Sequence, residues 1–242
     1  MGVDRPSSNE NKRRMAACLI IGMVTPFLGS LVYFVLLASS GAATVIYAAT
    51  KLFTIAWPAV AVFMIEGFAA PRRGEAWKRH LSAIPAGLAT GMLIAGLIVG
   101  CYLWTPLGDY VERFAGPIGA KVTAMGLGEP IGYVAFCAFL SGLHSLIEEY
   151  YWRWYVFGRL MVLARSGVAY AFAGLSFAAH HYVLLAGYFP AAGAIVFGTA
   201  VGVGGAFWCW MYRRQGTLTG VWVSHALVDV AICYVGYRLL FV

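Results

Sequence analysis

Apolar residues dominate seven long runs of this chain, near Met15–Ser39, Ala43–Phe68, Leu81–Trp104, Ile131–Met161, Val168–Phe189, Ala191–Met211 and Leu218–Phe241, with short polar connections between most of them. A bilayer core takes about 20 apolar residues per helical crossing, so the pattern predicts seven transmembrane helices. The first run follows Lys12, Arg13 and Arg14 and exceeds the roughly 7–15 apolar residues of a signal core, which predicts an uncleaved first helix. The fourth run is about 31 residues, near 46 Å at ~1.5 Å per residue, against a hydrocarbon core of about 30 Å. It must tilt, protrude or break. The connection Thr105–Pro130 holds Asp109, Glu112, Arg113, Lys121 and Glu129 around an apolar middle. It reads equally as an interfacial or re-entrant segment, which leaves room for an eighth short span, and as an external loop.

Composition places these runs in a membrane protein. The 242 residues are 61% hydrophobic and 11% charged, where soluble domains average about 25% charged. The mean hydropathy is +0.77. The expected fold is all-α, a polytopic transmembrane helix bundle, with a tail at 1–14 and a single membrane domain at 15–242. The net charge of +7 is dispersed in small clusters between runs, which argues against a nucleic-acid partner. With the N-terminus in the cytoplasm, Arg5, Lys12, Arg13, Arg14, Arg72, Arg73, Lys78, Arg79, Arg159, Arg165, Arg213 and Arg214 fall on that side. Arg113, Lys121 and Arg238 fall on the other, so the count is twelve against three. This bias predicts an odd number of spans, with the fourth run as one helix and the C-terminus outside.

Small residues four apart (Gly87 with Gly91, Gly96 with Gly100, Gly198 with Gly202) predict closely packed helices. No internal repeat supports an inverted-repeat transporter. Cys18, Cys101, Cys137, Cys209 and Cys233 lie in apolar stretches without CxxC spacing and read as buried free thiols.

Ionisable groups inside such spans are costly and mark function. They concentrate in the last hundred residues: His144, Glu148, Glu149 and Arg153 in the fourth run, His180 and His181 in the fifth, His225 and Asp229 in the seventh. His80 is assigned to a basic loop. Glu149 and Arg153 have the i, i+4 spacing and orientation of a helical ion pair. Glu148, rotated about 100° from Glu149, lacks that partner and is the candidate for general acid/base work. His144, one turn earlier, either partners Glu148 or only bonds a backbone carbonyl or reaches the interface. His225 and Asp229 share one helix face, a spacing that serves metal binding, imidazole orientation or oxyanion stabilisation alike.

Three short motifs, Glu148-Glu149-xxx-Arg153, Phe177-xxx-His181 and His225-xxx-Asp229, stand in this order on three predicted helices. Over about residues 131–242 the chain resembles the CAAX prenyl endopeptidase and bacteriocin-processing family of intramembrane proteases (CPBP or ABI proteins), whose motifs are EExxxR, FxxxH and HxxxN/D. The resemblance implies that Glu148 activates water with help from His181 and that His225 and Asp229 stabilise the oxyanion. Glu149 and Arg153 would hold their helix in register. It selects His181 over His180, which is close enough in sequence to take its place. Aspartate at 229 cannot donate to an oxyanion when ionised, so it would orient His225 or stay protonated. Glu148, His181, His225 and Asp229 could bind zinc. Without HExxH spacing a metal-free site is preferred and no cofactor is expected. The implied substrate is a membrane-associated peptide or protein, a prenylated CAAX end or a bacteriocin precursor. The rival functions are a proton-coupled transporter and a non-catalytic scaffold or immunity protein.

Overall fold

In a computed structural model of the chain, residues 9–37, 42–67 and 77–242 are described. The first eight residues, and with them Arg5, lie outside the described residues, as do Arg72 and Arg73. Among the described residues, seven helical spans are long and apolar enough to cross a membrane: α1 (Asn9–Leu36), α2 (Ala42–Ile65), α3 (Trp77–Trp104), α6 (Pro130–Leu163), α7 (Ser166–Ala186), α8 (Ala191–Gln215) and α9 (Thr219–Phe241). Two short helices, α4 (Pro106–Glu112) and α5 (Ala115–Ala124), occupy the connection between α3 and α6. Neither reaches the length of a crossing, so that connection adds no eighth span. Among the described residues there is no strand.

The ends of the spans follow from local chemistry. α1 starts at Asn9, ahead of the apolar run, and its polar first turns are tied by an Arg14–Glu10 pair at 2.5 Å. α4 opens on Thr105, whose hydroxyl accepts from the Leu107 amide at 3.2 Å, with Pro106 in the first turn where no amide is needed. α8 ends at Gly216, at φ 67°, and the Gly216 amide closes on the Tyr212 carbonyl at 2.8 Å. Trp77 and Trp104, 71% and 83% exposed, bracket α3 as interfacial anchors do.

The long fourth run neither breaks nor stays a plain α-helix. Over Leu140–His144 and again over Tyr150–Phe157 it widens into π-helix, where each amide reaches the carbonyl five residues back. With these wider turns included, the helical segment runs 34 residues from Pro130 to Leu163.

The helices form two compact units, 1–75 with 147–216, and 76–146 with 217–242. In the first, α7 and α8 approach so closely that a Cβ on Gly174 would stand 2.6 Å from the Gly202 carbonyl oxygen, and one on Gly205 would stand 2.8 Å from the Phe177 ring. Gly198 leaves room for the Tyr182 ring. The same unit holds α1 against the second half of α6. Pro26 has no amide to offer the Gly22 carbonyl, and the buried Tyr151 hydroxyl donates to that carbonyl at 2.6 Å instead. Tyr155 donates to the Cys18 carbonyl at 2.8 Å, with the Trp57 indole of α2 at 3.0 Å from its hydroxyl. Glu66, just past α2, and Arg159, within α6, make a buried ion pair at 2.7 Å. Arg159 is therefore not a free loop charge, because its partner neutralises it inside the unit. Burial outweighs the guanidinium and moves the Glu66 carboxyl above its ordinary range.

In the second unit, Gly87 admits the backbone of Gly220 and Gly91 that of Ser224, bringing α3 and α9 into contact. Thr90 donates to Ser224 at 3.1 Å across the same seam. His80 lies within α3 rather than in a loop, and its Nδ1 meets the Thr219 hydroxyl at 2.6 Å and that of Thr217 at 3.0 Å. By contrast, among the described residues a Cβ on Gly96 would meet nothing within 4 Å and one on Gly100 only Trp104 of the same helix, so that stripe packs no described neighbour.

Candidate active site

Adjacent residues Glu148 and Glu149 close a short α-helical stretch just before the eight-residue π-helical segment of α6. Their environments diverge at once. Glu149 and Arg153 are fully buried and paired at 3.0 Å, and the guanidinium lies over the rings of Phe177, at 4.6 Å, and Trp208, at 5.1 Å. A buried charge pair backed by two aromatic faces satisfies a cation that hydrocarbon alone would not. Glu148 instead faces α7, with Oε1 3.8 Å from His180 Nε2.

The donor atoms of Glu148, His180 and His181 lie within 4.8 Å of one another, close enough to hold a metal ion or one water. The two imidazoles are held differently. His181 Nδ1 stands 2.9 Å from the Phe177 carbonyl, which must accept, so Nδ1 carries the proton and Nε2 is the basic nitrogen of the neutral ring. His180 lies flat on Trp152, with centroids 5.5 Å apart and planes 4° from parallel. Both adjacent histidines thus reach Glu148's surroundings, not His181 alone.

Phe177, the aromatic residue of FxxxH, explains its own presence in the motif. Its ring touches Trp152, His180, His181 and Trp208, besides lying under Arg153. One side chain therefore sets the position of the ion pair and of both imidazoles.

In the second unit, His225 Nε2 and Asp229 Oδ1 on α9 are 3.6 Å apart, with His225 buried and Asp229 half-buried. The one-turn spacing does bring this pair together. His144 lies 6.5 Å from the Phe139 ring, stacked at 26°.

Sequence reasoning passed over two charges in the second apolar run, Glu66 and Lys51. Lys51 stands near the middle of α2, where a lysine costs about 2.5–3.5 kcal/mol on insertion scales. It is half-buried, its Nζ lies 5.4 Å from the Tyr47 ring centroid, and it is within electrostatic reach of Glu148. The signal was present as a single cation inside an otherwise apolar run.

Comparison with curated proteins and with solved structures found no significant match to the chain. A protein-family model does match, over residues 130–231, and it describes type II CAAX prenyl endopeptidases of the Rce1-like kind. The matched segment contains Glu148, Glu149, Arg153, His180, His181, His225 and Asp229. Through residues 130–231, this multi-pass membrane protein is similar to the type II CAAX prenyl endopeptidases of the Rce1-like kind.

Proposed function

We propose that the protein is an intramembrane endopeptidase that hydrolyses membrane-associated peptides, prenylated CAAX ends or bacteriocin-like precursors, with a water activated by Glu148. The observation that carries this reading is a glutamate beside two imidazoles within a membrane span, inside the family-matched segment. Glu148 takes a proton from water, and the resulting hydroxide adds to the peptide carbonyl carbon. His181, with Nδ1 anchored on Phe177, offers Nε2 as the assisting base, and His180 lines the same water. By the family resemblance, His225 donates to the oxyanion and Asp229 orients its ring. Return of the proton to the amide nitrogen lets the C–N bond break, releasing an amine and a carboxylate. Glu149 and Arg153 position Glu148 rather than touch substrate.

The reaction is proposed as metal-free. Glu148, His180 and His181 would be the ligands if zinc were bound, but no helix carries the HExxH spacing of common zinc proteases. The protein is placed in the inner (plasma) membrane with its N-terminus cytoplasmic. Glu148→Gln should abolish cleavage in membrane vesicles while membrane levels stay at wild type, and wild-type cleavage should survive a zinc chelator. A phenotype that persists in Glu148→Gln would point to a scaffold, and flux into proteoliposomes to a transporter.

A further inference from the structure

His180 falls outside the FxxxH register that selects His181, yet the fold fixes its ring. It lies flat on Trp152, 4° from parallel, and meets the Phe177 ring edge to face with centroids 5.8 Å apart. Its Nδ1 is buried and, among the described residues, has no hydrogen-bond partner, whereas Nε2 stands 3.8 Å from Glu148 Oε1. A neutral imidazole carries one N–H and one bare nitrogen. A proton on Nδ1 would strand a buried donor and leave two acceptors, Nε2 and the carboxylate, facing one another. The proton therefore sits on Nε2. His181 has the opposite tautomer, since its Nδ1–H donates to the Phe177 carbonyl at 2.9 Å and the nitrogen left to offer is a bare Nε2.

One nitrogen of each imidazole and one Glu148 oxygen lie within 4.8 Å of one another, so a point exists no more than about 2.8 Å from all three, the length of a hydrogen bond. A single water oxygen fits there. Its two hydrogens go to the Glu148 carboxylate and the bare nitrogen of His181, and one lone pair accepts from His180. We propose that His180 is a water-positioning catalytic residue, whose Nε2–H holds one lone pair of the attacking water and leaves the other directed at the peptide carbonyl carbon. Two bare imidazoles would offer three acceptors to two hydrogens and leave the water free to turn. This inference rests on the protease reading above.

The test uses the full-length protein in proteoliposomes and a farnesylated peptide ending in C-a-a-X. His180→Phe keeps a flat ring on Trp152 without the donor, and should lower kcat ~10²-fold with KM within about twofold. His180→Gln, whose side-chain amide presents an N–H near the place of Nε2, should restore kcat to within about 10-fold of wild type. A residue that only packed on Trp152 would show the reverse order, tolerating phenylalanine better than glutamine. The tautomer is read on wild-type protein, whatever the variants' folding: labelling with 13C-alanine and 15N-histidine marks His180 as the one histidine that follows an alanine, Ala179, and its ring should be protonated at Nε2 and bare at Nδ1. A proton on Nδ1, or a kcat in His180→Phe equal to or above that of His180→Gln, overturns the assignment and leaves the protease reading intact. If wild type does not cleave the peptide, the protease reading fails and takes this inference with it.

Discussion

Glu148 and Glu149 are chemically identical neighbours that the fold places in different surroundings. Glu149 is neutralised by Arg153 at 3.0 Å with no exposed surface on either side chain, whereas Glu148 remains beside His180 and His181. Removing one member of a buried pair strands the other charge, at a cost of about 3–5 kcal/mol. Glu149→Gln and Arg153→Met should therefore each lower the thermal midpoint of the detergent-solubilised protein sharply. The double variant should recover part of the loss, and Glu148→Gln should melt near wild type. Equal melting of the two single variants and wild type would remove the pair from its structural role. The pairing was legible in the sequence, because four-residue spacing on a helix is a local property that the widening after Glu149 did not destroy. The gathering of both histidines beside Glu148 was not. It depends on Trp152, which stacks on one ring, and on the Phe177 carbonyl, which holds the other.

Among the helices, α1 and α6 show how a defect in one element is satisfied by another. Pro26 leaves the Gly22 carbonyl without an intrahelical donor, and Tyr151 supplies one at 2.6 Å. Tyr151→Phe should cost about 1–3 kcal/mol, the range for a buried polar group left unsatisfied. In a Pro26→Ala background residue 26 offers its own amide, so the same substitution should cost much less. A double-mutant cycle of thermal or denaturant unfolding reads the coupling, and additive effects would refute the compensation. Proline in the first apolar run was visible from the start; the tyrosine that answers it, more than a hundred residues later, was not. The glycine stripes divide the same way. Four-residue spacing marked three pairs equally, but only the pairs of α3 and α8 that admit a neighbouring backbone or ring are packing surfaces, while Gly96 meets nothing.

For the molecule as a whole, the charge bias between connections leads to a testable orientation. In a background with the five native cysteines replaced by alanine, cysteines at two exposed glycines with open surroundings, Gly116 and Gly167, should report opposite sides. Gly116→Cys should react with an impermeant maleimide on intact cells, and Gly167→Cys only after lysis; the reverse pattern would invert the topology. The number of spans, their places and the Glu149–Arg153 pair could be read directly from the chain, because the bilayer imposes a length of apolar residues and i, i+4 geometry is a property of any helix. That both His180 and His181 stand by Glu148, and that Arg159 is paired with Glu66, became visible only once distant segments were packed. These are contacts between residues far apart in sequence, and no periodicity along one helix encodes what a neighbouring helix will bring against it.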